Sequence, residues 1–239
     1  MNIGAIIPVR YYSSRFPGKP LVKISGISMI ERVYKQVQKS GRFEKILVAT
    51  DDLRIANEVK RFGGTAVITS KDCTSGTQRV WEVLKDSNFD SVINIQGDEP
   101  LISELLISAV YDRLSTGKDS VVTAAFFNES YDEYKSVNIV KSVFDKNGKA
   151  NYFSRSPIPY CDSSKFKGFY QHVGIYGYTR EALSLFVELS PSRVELEEKL
   201  EQLRFLDYGI DIHILRTEYR SIGVDIPSDV YKIEKIIGE

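Results

Sequence analysis

Between residues 3 and 96, short runs rich in β-branched residues alternate with longer amphipathic stretches. The runs at 3–9, 45–50, 65–69 and 91–96 read as buried strands. The stretches at 28–40, 52–62 and 77–85 carry helical spacing, as in Ile30, Val33 and Val37, or Ile55, Val59 and Phe62. Strands joined through helices of this length pair in parallel, because a hairpin turn cannot connect them. The alternation therefore predicts an α/β fold: a mostly parallel sheet with helices on both faces.

Beyond Gly97 the rhythm changes. Residues 103–114 read as a helix and 120–127 as a strand, and 138–144 and 150–153 as strands joined by the turn Asp145-Lys146-Asn147-Gly148. Residues 170–178 form a further strand. Ser192-Arg193-Val194-Glu195 has the form of a capping box and opens a helix predicted to run to about Leu206. That helix would bury Leu196, Leu200 and Leu203 and leave Glu197, Glu198 and Glu201 to solvent. A strand at 212–217, a turn at 223–227 and a helix at 229–237 follow. The expected architecture is one domain with a smaller mixed or antiparallel lobe at about 120–215.

Lys plus Arg and Asp plus Glu both total 32, so the chain carries no net charge. That balance argues against a general binder of nucleic acid or membrane surfaces and makes any cation cluster a local device. Cys73 and Cys161 stand apart without metal-ligand spacing, which argues against zinc and against a disulfide framework. No apolar run approaches about 18 residues and no signal-peptide pattern opens the chain, so the expected address is the cytoplasm.

Open parallel sheets bind ligands at the carboxyl ends of their strands, which here selects the loops starting at Arg10, Asp51, Ser70 and Gly97. The first, PVRYYSSRFPGKP, gathers Arg10, Arg15 and Lys19 beside Gly18 and two prolines. Guanidinium forks, a point charge and a close-approaching backbone suit a polyphosphate. The loop is not a Walker A sequence, since Pro20 follows Gly18-Lys19, and a solvated basic turn would look similar. Gln96-Gly97-Asp98-Glu99-Pro100 puts carboxylates opposite those cations, as a Mg²⁺–triphosphate site needs, although Asp98 or Glu99 could instead cap the following helix. Asp225 offers a second carboxylate, with capping of the last helix as its plainer role. Nothing in the spacing brings Asp98 and Asp225 together. Asp51-Asp52 reads as structural, the following helix wanting an acidic cap. Ser75-Gly76-Thr77 with Arg79 could grip a polar ring or form an ordinary turn. A lone strand histidine such as His172 is more often packed than a ligand.

Taken in order, Ile6-Ile7-Pro8-Val9-Arg10-Tyr11, Arg15-Phe16-Pro17-Gly18-Lys19-Pro20-Leu21, Ser75-Gly76-Thr77, Gln96-Gly97-Asp98-Glu99-Pro100, Tyr152-Phe153-Ser154-Arg155, His172-Val173-Gly174-Ile175-Tyr176-Gly177, Leu200-Glu201-Gln202-Leu203-Arg204 and Gly223-Val224-Asp225 resemble the 3-deoxy-manno-octulosonate (Kdo) cytidylyltransferase family along nearly the whole chain. The resemblance implies a Rossmann-like nucleotidyltransferase sheet and a cytoplasmic homodimer. Its reaction would be CTP + Kdo → CMP-Kdo + pyrophosphate with Mg²⁺, serving lipopolysaccharide synthesis. It implies Arg10, Arg15 and Lys19 on the triphosphate, Ser75, Arg79 and Gln96 around the cytosine nucleotide, and Asp98 with Asp225 on magnesium. Arg10, Lys19, Asp98 and Asp225 would carry catalysis. For the sugar acid it implies Arg155, His172, Tyr176, Glu201 and Gln202, with the 120–215 lobe binding sugar and dimerising. Departures from the family pattern are Val9 for Ala, Ser13-Ser14-Arg15-Phe16 for Ser-Thr-Arg-Leu, and Ile226 for Thr; none removes a charge or ligand. The rival readings are an 8-amino variant of Kdo as substrate, a glycosyltransferase starting from a sugar nucleotide, and a nucleotide-binding module without catalysis.

Overall fold

A computed structural model describes every residue except Ser14, Ser221 and Glu239. The strands β1 (Ile3–Val9), β4 (Ile46–Thr50), β5 (Thr65–Ile68) and β6 (Ser91–Ile95) form the expected parallel half, in the order β6-β1-β4-β5. Helices α1 (Met29–Lys39), α2 (Leu53–Arg61) and α3 (Gly76–Lys85) make the crossovers. Successive residues of β1 face opposite ways. Ile7 and Val9 pack with Ile30, Val33, Ile55 and Val59 of α1 and α2, and with Ile107 and Val110 of α4 (Glu104–Ser115). Ile6 packs on the other face with Val80 and Leu84 of α3 and with Leu183 and Phe186 of α6 (Arg180–Glu188), a helix the sequence reading did not anticipate.

The remaining strands extend the same sheet. β10 (Phe169–Thr179) pairs antiparallel with β6 on one side and with β7 (Val121–Asn128) on the other. β11 (Ile212–Thr217) closes that edge, parallel to β7. β8 (Lys141–Phe144) and β9 (Ala150–Ser154) form the expected hairpin, attached through β8 to β10. The register of β10 against β7 slips between Val173 and Tyr176. His172, Tyr176 and Tyr178 lie on the face that carries the second core, and Val173 and Ile175 face the first.

Two short elements escaped the sequence pattern: the hairpin β2 (Lys23–Ile24) and β3 (Ile27–Ser28), and the single-turn α5 (Tyr131–Lys135). Ile24 and Met29 join Val224 and Ile233 in a small third core, which holds α9 (Pro227–Gly238) beside the first loop.

The helix predicted from the capping box to Leu206 is two helices. The box is present, Ser192 accepting from the Glu195 N–H and Glu195 from the Ser192 N–H, but α7 ends at Glu198 (Arg193–Glu198). Lys199 takes a left-handed φ of 55°, and α8 (Gln202–Asp207) sets off in a new direction. The cause is long-range. Arg204 folds back so that its Nε and Nη2 donate to the Glu195 carboxylate at 2.7 and 2.6 Å, both side chains being buried. Leu196 is therefore exposed rather than buried, and Glu198 is bonded to β9 rather than solvated. No helix among the described residues is long and apolar enough to cross a membrane.

Candidate active site

The carboxyl ends of β1 and β6 open into a cleft of about 380 Å³ lined by Arg10, Arg15, Lys19, Ser75, Arg79, Gln96, Asp98 and Asp225. Its first wall is formed by Arg10, Ser13, Arg15, Lys19 and Pro20. Gly18 takes φ 74°, a conformation open to glycine at little cost, and its N–H donates to the Tyr11 carbonyl at 2.8 Å. The loop then enters a 3₁₀ turn at Lys19–Leu21, which points Lys19 into the cleft. Gly97 is needed for a different reason: a Cβ there would stand 2.1 Å from Val9 Cγ1, so β1 and the β6 loop approach closely because residue 97 has no side chain.

Lys19 joins the two carboxylates that the spacing could not connect. Its Nζ donates to Asp98 Oδ2 at 2.7 Å and to the Val224 carbonyl at 2.9 Å, and lies 3.9 Å from Asp225 Oδ1. The Val224 N–H donates to the Asp98 carbonyl at 2.9 Å, stitching the two loops. Arg15 bridges to Asp225 at 3.1 and 3.2 Å. The plainer roles weighed for these carboxylates are filled by others. Ser103 accepts from the Leu105 and Leu106 N–H groups at the start of α4. Asp229 accepts from Asp225 and Ile226 N–H at 3.0 and 3.1 Å ahead of α9. Asp98 and Asp225 are thus held toward the cleft.

Ser75 caps α3, accepting from Gln78 N–H at 3.2 Å, so the amino end of that helix borders the cleft. Arg79 lines the cleft but is 4 % exposed. Its guanidinium donates to Asp51 at 3.2 Å, to the Ser70 carbonyl at 3.3 Å and to the Thr69 hydroxyl. In this state it ties the ends of β4 and β5 together. Asp51 is its partner and Asp52 caps α2, as expected of structural residues. Cys73, absent from the sequence reading of the site, also lines the cleft; burial and the adjacent Glu82, 3.0 Å away, push its thiol up to about 11.

A second cleft of about 400 Å³ lies alongside, lined by Arg155, His172, Tyr176, Glu201 and Gln202, all five sugar-site candidates. Gly76, Gln96 and Glu201 line both clefts and so mark where they meet. Burial pushes the His172 imidazole down to about 3, and its Nε2 lies 3.0 Å from the Thr123 hydroxyl, which donates to the Ile175 carbonyl at 2.7 Å. The ring is neutral at ordinary pH. Burial raises the Tyr176 phenol well above its usual range, so its O–H stays a donor. Tyr178, stacked on Tyr176 at 5.5 Å between ring centres, lines it too, as do Asn94, Lys199, Thr77, Leu200 and Phe205. Strand alternation offered a signal for Tyr178 and Asn94, which share faces with Tyr176 and Gln96. The exposure of Lys199 at a kink had none.

A cationic cleft with two carboxylates, meeting a second cleft at the strand ends of an α/β sheet, is an arrangement that suits a nucleotidyltransferase. Residues 4–212 match the family model described as Cytidylyltransferase. The 3-deoxy-manno-octulosonate cytidylyltransferase of Thermodesulfovibrio yellowstonii is 46% identical over 97% of this chain and 96% of the relative. That of Syntrophobacter fumaroxidans is 42% identical over 100% and 98%. Among solved structures, a CMP:2-keto-3-deoxy-manno-octonic acid synthetase complexed with CTP is 37% identical and superposes with a TM-score of 0.95 over 100% of this chain and 99% of that one. A cytidylyltransferase from Leptospira borgpetersenii shares the fold alone, at 16% identity and a TM-score of 0.69 over 100% of this chain and 87% of that one. The chain belongs to the 3-deoxy-manno-octulosonate cytidylyltransferase family.

Proposed function

We propose that the protein transfers the cytidylyl group of CTP to the anomeric hydroxyl of Kdo. The carrying observation is the junction: a cleft rich in cations and carboxylates meets a cleft holding Arg155, Lys199 and neutral polar groups, at Gly76, Gln96 and Glu201. The hydroxyl oxygen attacks the α-phosphorus in line, the bond from that phosphorus to the bridging oxygen breaks, and pyrophosphate leaves with the electron pair. The hydroxyl proton passes to solvent. The chain's residues contribute position and charge. Arg10, Arg15 and Lys19 take up the charge on the departing pyrophosphate, Ser75, Arg79 and Gln96 frame the cytidine, and Arg155 pairs the sugar carboxylate. Neutral His172, the Tyr176 O–H, Glu201 and Gln202 bind its hydroxyls.

Mg²⁺ fits this donor set. Two carboxylates converge on one point between the loops, and the ion ordinarily takes one or two carboxylates and fills its shell with phosphate oxygens and water. Asp98 and Asp225 would hold the ion, and it would polarise the phosphates and lower the pKa of the attacking hydroxyl. Lys19 and Arg15, which neutralise those carboxylates, then turn to the triphosphate.

The same reading makes the protein a cytoplasmic homodimer feeding lipopolysaccharide synthesis, with residues 120–215 as sugar-binding and dimerising lobe. Incubation with CTP labelled at its α-phosphate, Kdo and Mg²⁺ tests the chemistry. Label is expected in a CMP–sugar acid, and a nucleotidylated protein would refute direct in-line transfer. A preference for the 8-amino sugar would keep the mechanism and change the acceptor.

A further inference from the structure

One wall of the second cleft hangs from a kink that its own sequence disfavours. Lys199 is a non-glycine residue at φ 55°, the left-handed region that side chains with a Cβ disfavour. The kink turns Glu201 and Gln202 to the cleft. Immediately before it, Glu198 reaches back to β9. Its Oε1 accepts from Ser154 Oγ at 2.5 Å and its Oε2 from the Arg155 N–H at 2.8 Å, while its carbonyl accepts from Arg155 Nε at 2.9 Å.

The other side of Arg155 is held as firmly. Its Nη1 donates to the Val137 carbonyl at 3.2 Å. Its own carbonyl accepts from Lys141 Nζ at 2.7 Å. That ammonium is fully buried and also donates to the carbonyls of Ser136 and Ile139, at 2.6 and 2.9 Å. Neither Glu198 nor Lys141 lines either cleft. A buried ammonium held by three backbone carbonyls, and a carboxylate taking two donors across the cleft wall, are strong charge-assisted contacts. Both converge on Arg155, which with Lys199 gives the second cleft its positive charge.

We propose that Glu198 and Lys141 are positioning residues: together they latch the Lys199 kink to β9 and so present Arg155, Glu201 and Gln202 to the sugar acid in one arrangement. The proposal rests on the sugar-acid reading of the second cleft. A latch of this kind acts chiefly on the sugar acid, because Arg155 and Gln202 line the second cleft and, of the three residues it presents, Glu201 alone also borders the first. General structural support would weaken both substrates alike.

The test compares wild type with Glu198→Gln and Lys141→Met by steady-state kinetics with CTP and Kdo, and by amide hydrogen exchange across residues 199–202. Glu197→Gln is the control, since Glu197 pairs with exposed Arg193 one turn away and lines neither cleft. KM for Kdo is expected to rise about 10-fold in each latch variant, with KM for CTP within about twofold and exchange at the kink faster. The control should change neither. Parallel rises in both KM values, or unaltered exchange at the kink, would overturn the latch. If wild type itself failed to use Kdo, the proposed function would fall, and the exchange comparison alone would uphold or overturn the latch.

Discussion

Lys19, Asp98, Arg15 and Asp225 neutralise one another across the mouth of the first cleft. The outer pair is exposed, with side chains 63% and 55% accessible, so exchanging its partners costs little. Asp98 is the better anchored carboxylate, and Asp98→Asn is expected to lower kcat at least about 100-fold, the scale for one preorganised electrostatic group. A kcat within about threefold of wild type would remove Asp98 from the chemistry. His172 supplies a pH prediction. Its folded pKa, about 3, lies below the ordinary 6.5, so the unfolded chain takes up the proton first as pH falls. Its contribution is complete above about pH 6.5 and declines toward pH 3. Unfolding midpoints of wild type and His172→Gln should therefore converge between pH 7 and 4; a constant gap would show that the ring titrates normally.

At the scale of elements, the break between α7 and α8 is the feature that brings Glu201 and Gln202 to the wall of the second cleft. Arg204 and Glu195 hold it with a buried bidentate pair, and Arg204 also donates to the Phe186 carbonyl at 3.1 Å. Arg204→Met strands the Glu195 carboxylate and is expected to cost about 3–5 kcal/mol, read by denaturant unfolding. A loss below about 1 kcal/mol would mean that the pair is not what folds α8 back. The parallel strands and their crossover helices were legible because their signal is local: Ile30, Val33 and Val37 recur within one helix and face one core. The break was not, because the residues that impose it communicate through space. Leu196 fits a continuous helix by periodicity and is nevertheless exposed, since the chain turns at Lys199 to satisfy Arg204 and Glu198.

For the whole molecule, the candidate site divides along the same line. The gathering of Arg10, Arg15 and Lys19 at one cleft was legible from residue type and position, at the end of the first strand beside Gly18. The family resemblance named the remaining residues, and they line two adjoining clefts. What no local pattern contained was the approach of Asp98 and Asp225 to one ammonium, Lys19, beside α9, which packs against the β2–β3 hairpin and the start of α1 through Ile24, Met29 and Ile233. Because Lys19 bridges both carboxylates before ligands arrive, Mg²⁺ and CTP should bind cooperatively. Calorimetry is expected to show each binding at least about 10-fold more weakly alone than with the other; independent affinities would separate the metal site from the triphosphate loop. The most direct measurement is pyrophosphate release from purified protein with Mg²⁺, CTP and fresh Kdo, with ATP, UTP, GTP and the 8-amino sugar as parallel arms. Release that requires both CTP and Kdo is the expected result. Silence in every arm, from folded protein that still binds CTP, would contradict transfer to a sugar acid and leave a nucleotide-binding module on this scaffold.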